Sequence, residues 1–152
     1  MRNREINKLV WFSIILILVS NLVLGQKKED FDIEINYSTQ KELIVTETSK
    51  AFERKYGDSV LVFFESGFDN NYVSVKVDNS TVISKSITTI EDLDFAYFYN
   101  IGCVKDITEF RIQIDDAKII FIEPSMKHKY ISINIMGDKV IVDFLNTIPY
   151  YD

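Results

Sequence analysis

From Asp58 onward the chain alternates apolar and polar residues with a period of two. Val60-Val62-Phe64, Val73-Val75-Val77, Phe110-Ile112-Ile114, Ile131-Ile133-Ile135 and Val140-Val142-Phe144 each set apolar side chains on one face of an extended strand. Lys76, Arg111, Gln113, Ser132, Asn134 and Asp143 take intervening positions, as in a sheet with one solvated face. Ile119-Ile120-Phe121-Ile122 is apolar throughout and predicts a strand buried on both faces. Phe31-Ile33-Ile35-Tyr37 alternates with Asp32, Glu34 and Asn36 and predicts the first strand. β-Branched residues dominate these runs and suit a pleated sheet better than a helix.

Turn chemistry separates the runs. Gly67-Phe68-Asp69-Asn70-Asn71, Asp78-Asn79-Ser80, Asp115-Asp116, Pro124 to His128 and Gly137-Asp138-Lys139 are rich in residues that tolerate tight backbone geometry. Leu43-Ile44-Val45-Thr46 reads as a further strand. Thr48 to Gly57 reads as a short helix, with Thr48 or Ser49 as cap and Gly57 as stop. Short strands spaced by turns in this way predict an all-β fold, an antiparallel two-sheet β-sandwich of immunoglobulin-like or jelly-roll type with one short helix.

The N-terminus breaks the pattern. Arg2, Arg4 and Lys8 lead into 18 uncharged positions, Leu9 to Gln26, with Gly25 as a small residue at the exit. A basic lead, a short apolar run and a small residue make up a secretory signal peptide. The run lies at the lower edge of the roughly 20 residues a membrane span needs, and Ser13, Ser20 and Asn21 interrupt it. The expected organisation is therefore a signal helix over 1–25, or an uncleaved anchor, then a tether over 26–30 and one sandwich domain over 31–152. The chain is expected to be exported, to the periplasm, the outer cell surface or the medium. Contact with a membrane is expected only through the N-terminal segment, if it is uncleaved.

Charge and cysteine narrow the function. Lys and Arg number 17 against 23 Asp and Glu. Cleavage after Gly25 would remove three basic residues and one acidic one, moving the net charge from −6 to −8. Nucleic acid is thereby excluded as a partner, because phosphate backbones select a basic face. Cys103 is the sole cysteine, so no internal disulfide can form and the exported domain relies on its core, which suits a bacterial protein.

Few residues carry recognisable chemistry. His128 is the sole histidine and sits between Lys127 and Lys129, a poor setting for a metal; its plain reading is an exposed turn residue. Cys103 lacks a neighbouring base and reads as a small buried hydrophobe. Asp69, Asn70 and Asn71 form one polar loop, and Glu91, Asp92 and Asp94 another. These oxygen-rich loops are candidate binding residues and a candidate calcium site, although neither has EF-hand spacing and both suit ordinary turns. Phe95, Tyr97 and Tyr99 would place a stripe of rings on one strand face, where Tyr97 and Tyr99 could stack on a sugar or anchor a protein. Packing between the sheets is the commoner use of such rings.

No catalytic or cofactor motif is present, so the sequence points to a non-enzymatic binding or adhesion module for a protein or glycan partner at the cell envelope. No cofactor other than calcium is suggested. A hydrolase using a carboxylate pair and a structural accessory of the envelope are the alternatives.

Overall fold

The computed structural model describes residues 31–37, 47–78 and 80–149. The expected signal segment, the tether, the strand at Leu43–Thr46 and the final residues 150–152 lie outside them. Among the described residues, the strands are β1 (Asp32–Tyr37), β2 (Ser59–Phe64), β3 (Asn71–Val77), β4 (Ser80–Ile87), β5 (Tyr97–Cys103), β6 (Phe110–Ile114), β7 (Ile120–Ile122), β8 (Tyr130–Met136) and β9 (Lys139–Leu145). One helix, α1 (Glu47–Tyr56), precedes β2, close to the expected bounds.

These elements form two sheets, one of five strands in the order β1-β9-β8-β2-β5 and one of four in the order β4-β3-β6-β7. The four-stranded sheet is antiparallel throughout. The five-stranded sheet is mixed: β1 runs parallel to β9 and β2 parallel to β8, which departs from the all-antiparallel expectation. Parallel neighbours need a long connection, and here the chain from β3 to β7, most of it the second sheet, lies between β2 and β8. Alternation along one strand shows which face is apolar but is blind to the direction of its neighbour.

The main core lies between the sheets. Val60, Val62 and Phe64 of β2, Ile131 and Ile133 of β8, and Val140 and Val142 of β9 face Val73, Val75, Phe110, Ile112 and Ile114 of β3 and β6. Each such side chain contributes about 1.5–3 kcal/mol when fully withdrawn from water. A second, smaller core lies on the other face of the five-stranded sheet, where Leu61, Phe63 and Tyr130 meet Phe52 and Tyr56 of α1. β2 is therefore covered on both faces.

β7 is not. Ile120 and Ile122 are buried, but Ile119 and Phe121 are 45% and 54% exposed. The expectation that Ile119–Ile122 is buried on both faces is thus corrected: β7 is an edge strand, and no described element covers its outer face. No helix among the described residues is long and apolar enough to cross a membrane.

Candidate binding end of the sandwich

Four connections meet at one end of the molecule: β2–β3, β4–β5, β6–β7 and β8–β9. They carry both candidate acidic loops, and hydrogen bonds tie them together. The Phe68 N–H donates to Thr89 Oγ1 at 2.9 Å, Thr89 Oγ1 donates to the Glu65 carbonyl at 2.7 Å, and the Thr89 N–H donates to the Phe68 carbonyl at 2.8 Å. The Asn70 N–H donates to Thr88 Oγ1 at 2.9 Å. The structure therefore brings the Asp69–Asn71 loop against the segment that leads into Glu91–Asp94. Thr88 and Thr89 make that junction, which no local pattern in the sequence marks.

The turn residues also serve the backbone. Asn70, Asp94 and Asp115 have positive φ of 55°, 46° and 50°, a region that Asn and Asp tolerate better than most residues. Asn71 accepts from the Asp69 N–H at 2.7 Å and donates through Nδ2 to Asp115 Oδ2 at 2.7 Å. The other Asp115 oxygen accepts the Tyr72 N–H at 2.7 Å. At Gly67, with φ +83°, an added Cβ would lie 1.9 Å from the Ile135 carbonyl oxygen, which fixes the loop against β8. Among the described residues, no group of three or more His, Cys, Asp or Glu side chains is placed to hold a metal ion.

Charge is unevenly shared between the two ends. The end just described carries Glu65, Asp69, Glu91, Asp92, Asp94, Asp115, Asp116 and Asp138 in its connections, with Lys118 as their cation. The connections at the opposite end mix Asp58, Asp78, Asp106, Glu109 and Glu123 with Lys105, Lys127 and Lys129. The acidic end also exposes apolar side chains: Ile90 (52%), Leu93 (45%) and Met136 (62%). The 3₁₀ turn Glu91–Leu93 contains no buried residue, so both its acids and Leu93 are presented outward.

The aromatic stripe divides. β5 begins at Tyr97, whereas Phe95 precedes it in an isolated bridge to Ile90 and joins the small core beneath α1. Tyr97 and Tyr99 are half-buried against the core between the sheets, and Lys85 of β4 places Nζ 3.9 Å from the Tyr97 ring centre. Phe98 turns the other way, toward Phe52 at 5.6 Å and Phe63 at 6.1 Å. Tyr97 and Tyr99 thus pack between the sheets instead of lining an exposed face.

His128 lies at the opposite end, half-buried, with its ring 5.5 Å from that of Tyr37. That replaces the exposed turn residue expected there. Cys103 is a free, half-buried thiol at the end of β5.

Beside the small core, Ser132 is buried on the outer face of β8 and donates to Glu65, while Asn134 Nδ2 donates to Glu65 Oε2 at 3.2 Å and Oδ1 accepts the Ser66 N–H at 3.1 Å. Tyr130, fully buried beneath α1, has a hydroxyl with no hydrogen-bond partner among the described residues. Its pKa is pushed up to about 12 by burial and, to a lesser degree, by the charge of Glu53.

Compared with protein-family models, curated proteins and solved structures, the chain matches none.

Proposed function

We propose that this chain is an exported, non-enzymatic binding module whose recognition surface is the acidic end, formed by Asp69–Asn71, Glu91, Asp92 and Asp94. The observation that carries this reading is the exposure of Ile90, Leu93 and Met136 at the same end as those acids. Apolar side chains ringed by like charges suit a partner that brings cations to steer the encounter and apolar groups to anchor it. A protein with a basic surface meets both needs better than a glycan, since Tyr97 and Tyr99, the rings that would stack on sugars, pack inward. For the scaffold, we take a sandwich whose parallel β2–β8 pair sets it apart from both the immunoglobulin-like and the jelly-roll types.

The test is retention of partners from envelope and culture-fluid fractions by the full chain, with calcium and with chelator. A triple variant, Glu91→Gln with Asp92→Asn and Asp94→Asn, should weaken retention by at least about tenfold and flatten its salt dependence. Ile90→Ser with Leu93→Ser should weaken it by a similar factor without changing that dependence. Undiminished retention by both variants would move the surface elsewhere. Loss in chelator alone would assign the loops to calcium.

A further inference from the structure

We infer that the acidic end binds free cationic amphipathic peptides, the membrane-active class with Lys and Arg on one helix face and Leu, Phe or Trp on the other. This rests on the reading of that end as a recognition surface and names its partner. The layout of the exposed apolar side chains carries it. Met136 ends β8, and the Ile135 N–H donates to the Ser66 carbonyl at 2.9 Å, so Met136 stands beside the exit of β2. On the other side of β2, the Ala96 N–H donates to the Phe64 carbonyl at 2.9 Å, while the Phe95 carbonyl accepts the Ile90 N–H at 2.8 Å. Polar groups of successive residues in an extended chain point to opposite sides, so Ile90 lies beyond the Phe95–Ala96 segment, away from β2. Three strand spacings, about 14 Å, therefore separate Met136 from Ile90. Ten residues of α-helix rise about 15 Å. A helix of about three turns, apolar on one face, reaches from Met136 across to Ile90 and Leu93.

Charge selects the occupant. Exposed Glu91, Asp92 and Asp94 are interleaved with Ile90 and Leu93, and exposed Asp138 follows Met136 after Gly137. A folded partner commonly meets an apolar centre inside a polar rim. Here the carboxylates stand between the apolar side chains, the complement of a helix on which cations flank a stripe of leucines. An anionic surface steers such a peptide inward and disfavours acidic ones. The unbranched Met136 side chain adapts to whichever apolar residue it meets, which suits a class of peptides better than one fixed partner. A peptide that is unfolded in water must order on binding, so micromolar affinity is expected. Held at this end, the peptide's apolar stripe is withheld from a bilayer.

The experiment titrates the full chain against a fluorescent peptide of about 14 residues, with Leu at helical spacing and Lys elsewhere. A scrambled peptide of the same composition, without that spacing, is the control. The periodic peptide should bind with micromolar Kd, gain helical circular dichroism and bind at least about tenfold tighter than the scrambled one. Equal binding of the two peptides, no binding up to about 1 mM, or tighter binding of a folded basic protein such as cytochrome c would overturn the inference. That comparison uses the unmodified chain, so no misfolded variant can obscure it. Met136→Ser should weaken the periodic peptide by at least about fivefold, and an unchanged Kd would count against the placement of the helix. If the peptide fails to bind while retention of envelope partners still depends on Glu91, Asp92 and Asp94, this inference falls and the recognition surface stands. Retention and peptide binding that both ignore those acids would remove the surface as well.

Discussion

β2 and β7 carry the two most continuously apolar runs among the strands, and the fold treats them in opposite ways. From Val60 to Phe64 every residue of β2 is buried, alternate side chains entering the large core and the small one. In β7, Phe121 stands more than half exposed, and among the described residues it is the guanidinium of Arg111, 5.2 Å from its ring centre, that lies over it. What separates the strands is their neighbours. β2 lies inside its sheet, between β8 and β5, and has α1 above it, whereas β7 closes the edge of a sheet whose outer face no described element covers. An apolar run states what a strand can bury, and the presence of a third layer decides whether it does.

The largest effect is expected at Phe63. Phe63→Ala removes a ring that is 2% exposed and stacks on Phe98. It should cost about 3–5 kcal/mol by denaturant unfolding, as a cavity that α1 and the sheet fill only in part. A loss below about 1 kcal/mol would mean that α1 does not rest on β2, and the contrast with β7 would vanish.

Much of this was legible in the sequence, though unevenly. Strands that pair one apolar face with one polar face, such as β3, β6 and β9, declare themselves through period two, and their turns through Gly, Asp and Asn. β4 is harder to see, because Ser80, Thr81, Ser84 and Ser86 dilute its apolar content and the register shift opposite Val75/Lys76 disturbs the alternation of Val82, Ile83 and Ile87. The rings at 95–99 illustrate a different limit: spacing placed Phe95, Tyr97 and Tyr99 on one face, but the strand begins only at Tyr97. In the candidate site the acids were legible as turn residues. Thr88 and Thr89, which gather the two loops, were not, because their role depends on contacts with a segment some 20 residues away, as between Thr89 and Phe68.

The small core also yields a pH dependence. Tyr130 ionises in the folded chain only near pH 12, against about 10 when unfolded, so folding favours its neutral form. This contribution is complete below pH 10 and is lost as pH rises through 12, because the unfolded chain then releases the proton more readily. Two pH units correspond to about 2–3 kcal/mol. Tyr130→Phe should therefore resist alkaline unfolding better than the parent by roughly that amount. At neutral pH it should be equal or more stable, since a buried hydroxyl without a partner is removed. Identical alkaline profiles would show that Tyr130 is reached by water, and that α1 covers this face less closely than it covers β2.

At the exit of β2 a smaller effect is expected. Thr89→Val keeps the shape of the side chain but removes the oxygen that serves both the Glu65 carbonyl and the Phe68 N–H. The expected cost is about 1–2 kcal/mol, accompanied by faster amide exchange from Ser66 to Asn70. Exchange that rises equally in β7 would show that the two regions open together as one cooperative unit.

The smallest expected effect tests the other side of the contrast. Phe121→Ala deletes a ring of the same kind as Phe63, from an equally apolar run, yet it should shift stability by no more than about 0.5 kcal/mol. The contact with Arg111 adds little, because Arg111 is itself exposed and bonds to Glu109 at 3.3 Å. A cost above about 1.5 kcal/mol would mean that the outer face of the four-stranded sheet is covered in solution. The covering layer would have to come from elsewhere in the chain or from another molecule. A cost that grows with protein concentration would identify the latter, since only an associating partner links stability to concentration.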